Sequence, residues 1–226
     1  MGATVSSGIT RWTRIHAVLL LIGSSLCVLI GQTYWLFAAA FASFIGLFVL
    51  NQADWRHLPW GIGPANWATG LRLALLLLTL VSPPTDSPWW LVAALLATAS
   101  LDGLDGFLAR TTDSASIIGE YFDKETDAFY MLAVGHILYQ LGYAPVWILG
   151  LGWIRYLYVL ALIRWQPPTQ KETRFPWGRV IAVVIMVGLP LAILLPEDWR
   201  LPAYLLLSGL LLFSFGRSFI ALLRTT

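Results

Sequence analysis

Charge is what this sequence has least of. Of 226 residues only 12% are Asp, Glu, Lys or Arg, while 58% are hydrophobic, and the mean hydropathy is +0.73. A soluble domain carries about a quarter charged residues, so that class is excluded and a polytopic membrane protein remains. No polar stretch is long enough to bury a core of its own, which excludes a separate soluble domain. The single cysteine, Cys27, lies in an apolar run and rules out an intramolecular disulfide. A net charge of +2 gives nothing with which to hold nucleic acid. Internal repeats and low-complexity tracts are absent beyond leucine runs.

Two processing signals at the N-terminus are weak. Met1, Gly2 and Ser6 fit a myristoylation pattern that is common by chance. Arg11 and Arg14 before an apolar run resemble a signal peptide, but a second apolar run follows almost at once, and Ser25-Leu26-Cys27 is no lipoprotein cleavage site. The segment reads as a retained first span.

At roughly 20 apolar residues per span, eight spans are predicted: 15–31, 34–50, 64–82, 88–109, 117–141, 145–163, 177–195 and 201–222. Between the second and third, Asn51 to Gly63 contains Asp54, Trp55, Arg56, His57 and Trp60, which suit a segment lying at the membrane surface. Basic residues fall on one side of this arrangement. Arg11, Arg14, Arg56, Arg110, Arg164, Lys171, Arg174 and Arg224 share a side, whereas the other has only Arg200. The positive-inside rule puts the first side, with both termini, in the cytoplasm. The expected setting is a bacterial inner membrane. Trp12, Trp55, Trp60, Trp89, Trp90, Trp165, Trp177 and Trp199 lie near predicted helix ends, as an interfacial belt requires.

Against this background the acids stand out. The chain has 12, and seven of them (Asp102, Asp105, Asp113, Glu120, Asp123, Glu125 and Asp127) fall where the fourth span meets the fifth. Carboxylates beside hydrocarbon are costly and need a partner. Asp102 and Asp105 are three apart, Asp123 and Asp127 four apart, so each pair shares a helix face. The short polar turn from Arg110 to Ser116 makes the helices an antiparallel hairpin, with the two pairs facing each other at its cytoplasmic end. Four oxygen donors without an accompanying His or Cys suit Mg²⁺ or Mn²⁺, not zinc, and a pair of such ions usually handles phosphates. Gly103, Gly106, Ala109 and Gly119 let backbones or a flat ligand approach closely. Glu120 shares the face of Asp123 and Asp127. Glu125 points to the opposite face and is expected to pair with Lys124 or meet headgroups.

Asp102, Asp105, Gly106, Ala109, Arg110, Gly119, Asp123 and Asp127, at these offsets, match at every defined position the signature of the CDP-alcohol phosphotransferase (CDP-alcohol phosphatidyltransferase) family, which the chain therefore resembles. The resemblance implies a six-helix core, here 64–226, with the signature running from its second helix into its third. The fold expected is an all-α transmembrane bundle, this core preceded by two extra transmembrane helices and a linker in 1–63. Upstream, Asn66, Thr69 and Arg72 are similar to the pattern that opens the first core helix, although an extra residue separates Pro64 from Asn66.

What the resemblance implies is a phospholipid-synthesis enzyme that transfers a phosphatidyl or substituted phosphoryl group from a CDP-linked donor, such as CDP-diacylglycerol, to an alcohol, releasing CMP. Asp102, Asp105, Asp123 and Asp127 would hold two ions, Mg²⁺ or Mn²⁺, and Asp127 would be the general base. Gly106, Ala109, Arg110, Gly119, Asn66 and Thr69 would serve the donor. Homodimerisation is also implied. Partners are then the CDP-alcohol, a small or lipid alcohol and membrane lipids.

Arg72, Arg155 and Arg164 are candidates for an acceptor or phosphate. Arg155, midway along its span, is either such a ligand or an arginine paired within the bundle. Arg164, Lys171, Arg174 and Arg179 read chiefly as headgroup contacts. His16 and His57 read as structural residues at the interfaces, and His136 as a satisfied bundle histidine. Gly119-Glu120 and Phe122-Asp123 look more like choline- and ethanolamine-phosphotransferases, which would use a CDP-amino alcohol and diacylglycerol. Arg155 points instead to a phosphorylated acceptor, so the acceptor stays open. A Mg-dependent intramembrane prenyltransferase would need a second aspartate-rich motif, and a cation or proton transporter would spread its acids along a pathway. Neither pattern is present.

Overall fold

The computed structural model describes residues 7–52, 55, 63–112, 116–165 and 178–223. Among these there are no strands. Eight α-helices follow in chain order: α1 Ser7–Ile30, α2 Tyr34–Leu50, α3 Pro64–Val81, α4 Pro88–Thr111, α5 Ile117–Gln140, α6 Leu149–Trp165, α7 Gly178–Leu191 and α8 Glu197–Leu223. Each overlaps an expected span, although α1 begins well before residue 15 and α7 ends at Leu191, and the protein is an all-α membrane bundle. Among the described residues, Gly8–Ile30, Pro64–Val81 and Glu197–Arg217 are long and apolar enough to cross a membrane, and Tyr34–Leu50, Val146–Ala161 and Val180–Leu194 are shorter apolar helices.

Local signals set the helix starts. Pro64 and Pro88 occupy first turns, where their missing N–H costs nothing. Ser87 and Ser116 cap α4 and α5, their hydroxyls accepting from Trp89 N and Gly119 N. The latter cap begins the helix that carries Asp123 and Asp127.

Helix α5 is the axis of the bundle. From Leu132 to Leu138 every residue is buried, and α5 packs against α1, α2, α3, α4, α6 and α7. The Tyr130 hydroxyl lies 3.0 Å from Met186 O and 3.2 Å from Leu95 O, linking α5 to α7 and α4. Close approach to α6 depends on Gly152, where a Cβ would fall 2.5 Å from Leu132 Cα. The outward rows of α8, including Leu205, Leu206, Leu212 and Phe213, are exposed, as a lipid-facing surface requires.

Two of the expected belt tryptophans are core residues instead. Trp12 is buried and donates Nε1–H to Ser43 O at 2.7 Å. Trp55 is buried and stacked on Phe48 at 4.9 Å, so this part of the linker packs on the bundle. Trp89, Trp90 and Trp199 are exposed near helix ends. Asp54, Arg56, His57 and Trp60 of the linker lie outside the described residues, as do Asp113, Lys171, Arg174, Trp177 and Arg224.

Candidate active site

The site begins with an arginine. Arg72 of α3 is fully buried, and a guanidinium in such a place must be matched by acceptors. It finds them on two neighbouring helices. Nη1 donates to Asp102 Oδ1 of α4 at 3.1 Å and to Asp123 Oδ1 of α5 at 3.3 Å. Nη2 donates to Asp127 Oδ1.

The carboxylates themselves are not buried. The side chains of Asp102, Asp123 and Asp127 are 32%, 38% and 39% exposed, against 0% for Arg72. Arg72 is thus the floor of a cluster that opens on its other side. Oxygens of the three carboxylates lie within 4.8 Å of one another, and no imidazole or thiolate joins them among the described residues. That donor set fits a hard divalent cation. The guanidinium supplies positive charge on the buried side of that donor set, opposite its open face.

Helix α3 presents Asn66, Thr69 and Arg72 at three-residue intervals, all buried. Thr69 Oγ1 donates to Ala65 O at 3.2 Å. Asn66 lies against Gly119, where a Cβ would fall 2.6 Å from Asn66 Oδ1 and 2.9 Å from Ser116 Oγ. Gly119 therefore sets how closely α5 approaches α3, and with it the reach of Arg72 to the aspartates. Glu120 is exposed and pairs with Lys124 at 3.1 Å. The backbones of Asp105, Gly106, Ala109, Arg110 and Arg164 are helical, but their side chains lie outside what is described.

One expectation needs correction. Glu125 neither pairs with Lys124 nor meets headgroups. It is fully buried, and its Oε1 accepts from Arg155 Nη2 of α6 at 3.0 Å. Arg155 is thereby paired within the bundle through Nη2. His16, expected as a structural residue, is buried in the same place, with Nε2 3.9 Å from Glu125 Oε2. His136 is buried and bonded to Ser24 Oγ at 2.7 Å. Sequence reasoning missed the Glu125–Arg155 pair and the central place of Arg72. The available signal was opposite charge at matching depth in adjacent spans.

The sequence profile of the CDP-alcohol phosphatidyltransferase family matches residues 63–215. The chain belongs to the CDP-alcohol phosphatidyltransferase family. The match begins one residue before α3 and ends within α8, so α1 and α2 lie outside it. Curated relatives include cholinephosphotransferase 1 of Rattus norvegicus, 33% identical over 117 residues, covering 49% of this chain and 29% of the relative. Cholinephosphotransferase 1 of Bos taurus is 34% identical over 154 residues, covering 62% of this chain and 37% of the relative. That of Homo sapiens is 33% identical over 117 residues, 49% of this chain and 28% of the relative. The chain thus spans about a third of the length of these relatives. They are mammalian and lend nothing to a bacterial setting. No solved structure matches the chain.

Proposed function

We propose that this family member transfers a substituted phosphoryl group from a CDP-alcohol to a hydroxyl acceptor in a membrane, releasing CMP. The observation that carries the reading is the convergence of Asp102, Asp123 and Asp127, from two helices, on one face open to solvent. Asp102, Asp105, Asp123 and Asp127 would hold two divalent cations, Mg²⁺ or Mn²⁺, which when bound supply positive charge for the donor pyrophosphate and the departing phosphate.

The chain's own residues divide the remaining work. Asp127 accepts the proton of the acceptor hydroxyl on a carboxylate oxygen. The hydroxyl oxygen bonds to the phosphorus that carries the donor alcohol, the P–O bond to the cytidylyl phosphate breaks, and CMP leaves with that electron pair. Arg72 keeps three carboxylates of like charge together at the floor of the site. Asn66 and Gly119 hold α3 against α5, while Gly106, Ala109 and Arg110 are assigned to the nucleotide side. The two N-terminal helices form a unit added to a core beginning at Pro64. His16 and Glu125 lie at one height, so the start of α1 and the aspartates share one end of the bundle. The arginines of that end favour the cytoplasm. A homodimer is the expected assembly.

Two donor chemistries fit this site. The named relatives are cholinephosphotransferases, and together with Gly119-Glu120 and Phe122-Asp123 they favour a CDP-amino alcohol with a diacylglycerol acceptor over CDP-diacylglycerol with a small alcohol. Pairing of Arg155 with Glu125 weakens the argument for a phosphorylated acceptor. The test is CMP release by purified protein with Mg²⁺ or Mn²⁺ in two arms. One offers CDP-choline and CDP-ethanolamine with diacylglycerol, the other CDP-diacylglycerol with a panel of alcohols. Release in the first arm is expected. Release in neither, with no binding of any CDP-linked nucleotide, overturns the reading.

A further inference from the structure

Helices α1 and α2 lie outside the family match, yet they help to enclose a dense group of buried polar side chains. His16 of α1 is fully buried, with Nδ1 2.7 Å from Ser43 Oγ of α2. Its ring sits 4.8 Å from that of Trp12, 4.9 Å from Phe44 and 5.8 Å from Tyr156. Nε2 faces Glu125 Oε2 at 3.9 Å, and the other oxygen of Glu125 holds Arg155. In the tautomer that carries its hydrogen on Nε2, Nδ1 accepts from the Ser43 hydroxyl. Two turns further along α1, Ser24 Oγ lies 2.7 Å from His136 Nε2 and accepts from Trp153 Nε1 at 2.7 Å. Gln140 Nε2 then reaches Cys27 Sγ at 3.5 Å. Helix α1 therefore runs parallel to α5, and the two are joined at three successive heights.

None of these groups is needed for the transfer proposed above. Stability alone does not explain them either, because apolar residues of similar volume hold a core as well as a buried ion pair does. What a charged or hydrogen-bonded group adds is direction. Glu125 follows Asp123 by two residues and precedes Asp127 by two. At 100° per residue it leaves the back of the two helical turns whose front carries those aspartates. Helix α5 is gripped from the front by Arg72 and from behind by Arg155 and His16. A side-chain oxygen lies about 6 Å from a helix axis, so a 10° rotation of α5 moves it by about 1 Å. That is about twice the tolerance of a preorganised site.

We propose that His16, Glu125 and Arg155 are positioning residues: through them the added hairpin α1–α2 braces the back of α5 and fixes the rotation at which Asp123 and Asp127 meet Asp102. This rests on the reading of those aspartates as a cation site. Glu125 Oε2, His16 Nε2 and the Tyr156 hydroxyl are buried together without a hydrogen-bond partner, so His16 and Glu125 meet as a close polar contact at 3.9 Å and not as a hydrogen bond.

The test measures Mn²⁺ affinity of purified full-length protein by electron paramagnetic resonance, beside its thermal unfolding midpoint. Glu125→Leu with Arg155→Leu replaces the ion pair as a unit and leaves net charge unchanged, so any loss cannot be ascribed to weaker long-range attraction. This double variant is expected to keep a midpoint near wild type and to bind Mn²⁺ about tenfold more weakly, as removal of groups that orient ligands does. His16→Leu is expected to weaken binding in the same direction. His16→Gln, which keeps an N–H to offer Glu125, is expected to restore it to within about twofold. If the double variant fails to fold, the His16 pair decides alone. Wild-type affinity in His16→Leu, or a loss that Gln does not restore, overturns the brace and leaves the cation site standing. Wild-type protein that binds no Mn²⁺ overturns both.

Discussion

Enclosed on every side but bonded to three half-exposed carboxylates, Arg72 has a double effect. It neutralises a like-charged cluster from the buried side, and it lessens the attraction of that cluster for a cation on the open side. Arg72→Gln should therefore lower stability in EDTA by about 3 kcal/mol, or roughly 5–10 °C in the unfolding midpoint. Mg²⁺ should then stabilise the variant more than it stabilises wild type. Thermal unfolding with and without Mg²⁺ checks this, and equal metal responses would count against the guanidinium as a counter-charge. Asp127→Asn should reduce CMP release about 10³-fold while Mn²⁺ and CDP-linked nucleotide still bind, measured by turnover and equilibrium binding in parallel. Spacing alone brought out the aspartates, because three- and four-residue intervals on a helix leave few geometries. The partners of Arg72, Glu125 and Arg155 were not legible. Each depends on which faces of separate helices meet, and a span apolar all round has no polar stripe to mark its inner side.

At the scale of elements, the bundle is set by the few places where helices touch backbone to backbone. Gly119→Ala should push α5 from α3 at Asn66 and lower turnover about tenfold by misplacing the aspartates. Asn66→Ala in that background should recover part of the loss, which initial-rate assays would show. Gly152→Ala acts lower down, where its Cβ meets the Leu132 backbone and not the end of a flexible side chain. It should cost about 2 kcal/mol in stability with KM unchanged. Helix positions were legible almost throughout, since hydrocarbon demands long apolar runs and the caps at Ser87 and Ser116 are local. Tryptophan was a poorer guide. Trp12 and Trp55 sit near helix ends as belt residues do, yet a neighbouring helix covers both, and only tertiary packing distinguishes the cases.

For the whole molecule, the arrangement predicts a sidedness that labelling can test. In a Cys27→Ala background, cysteine at Asp86 should react with a membrane-impermeant maleimide from outside sealed cells. Cysteine at Thr111 should react only after the membrane is opened. The reverse pattern would invert the orientation while leaving the bundle intact. The parallel course of α1 and α5 has a further consequence for assembly. The ribosome delivers the hairpin first, carrying His16, Ser24 and Ser43 into the bilayer. The imidazole that meets Ser24 follows 112 residues later. Until α5 arrives, the hairpin holds a half-lined polar seam that lipid cannot satisfy. Synthesis of this chain therefore leaves an open seat in the membrane, and the helix bearing Asp123 and Asp127 fills it.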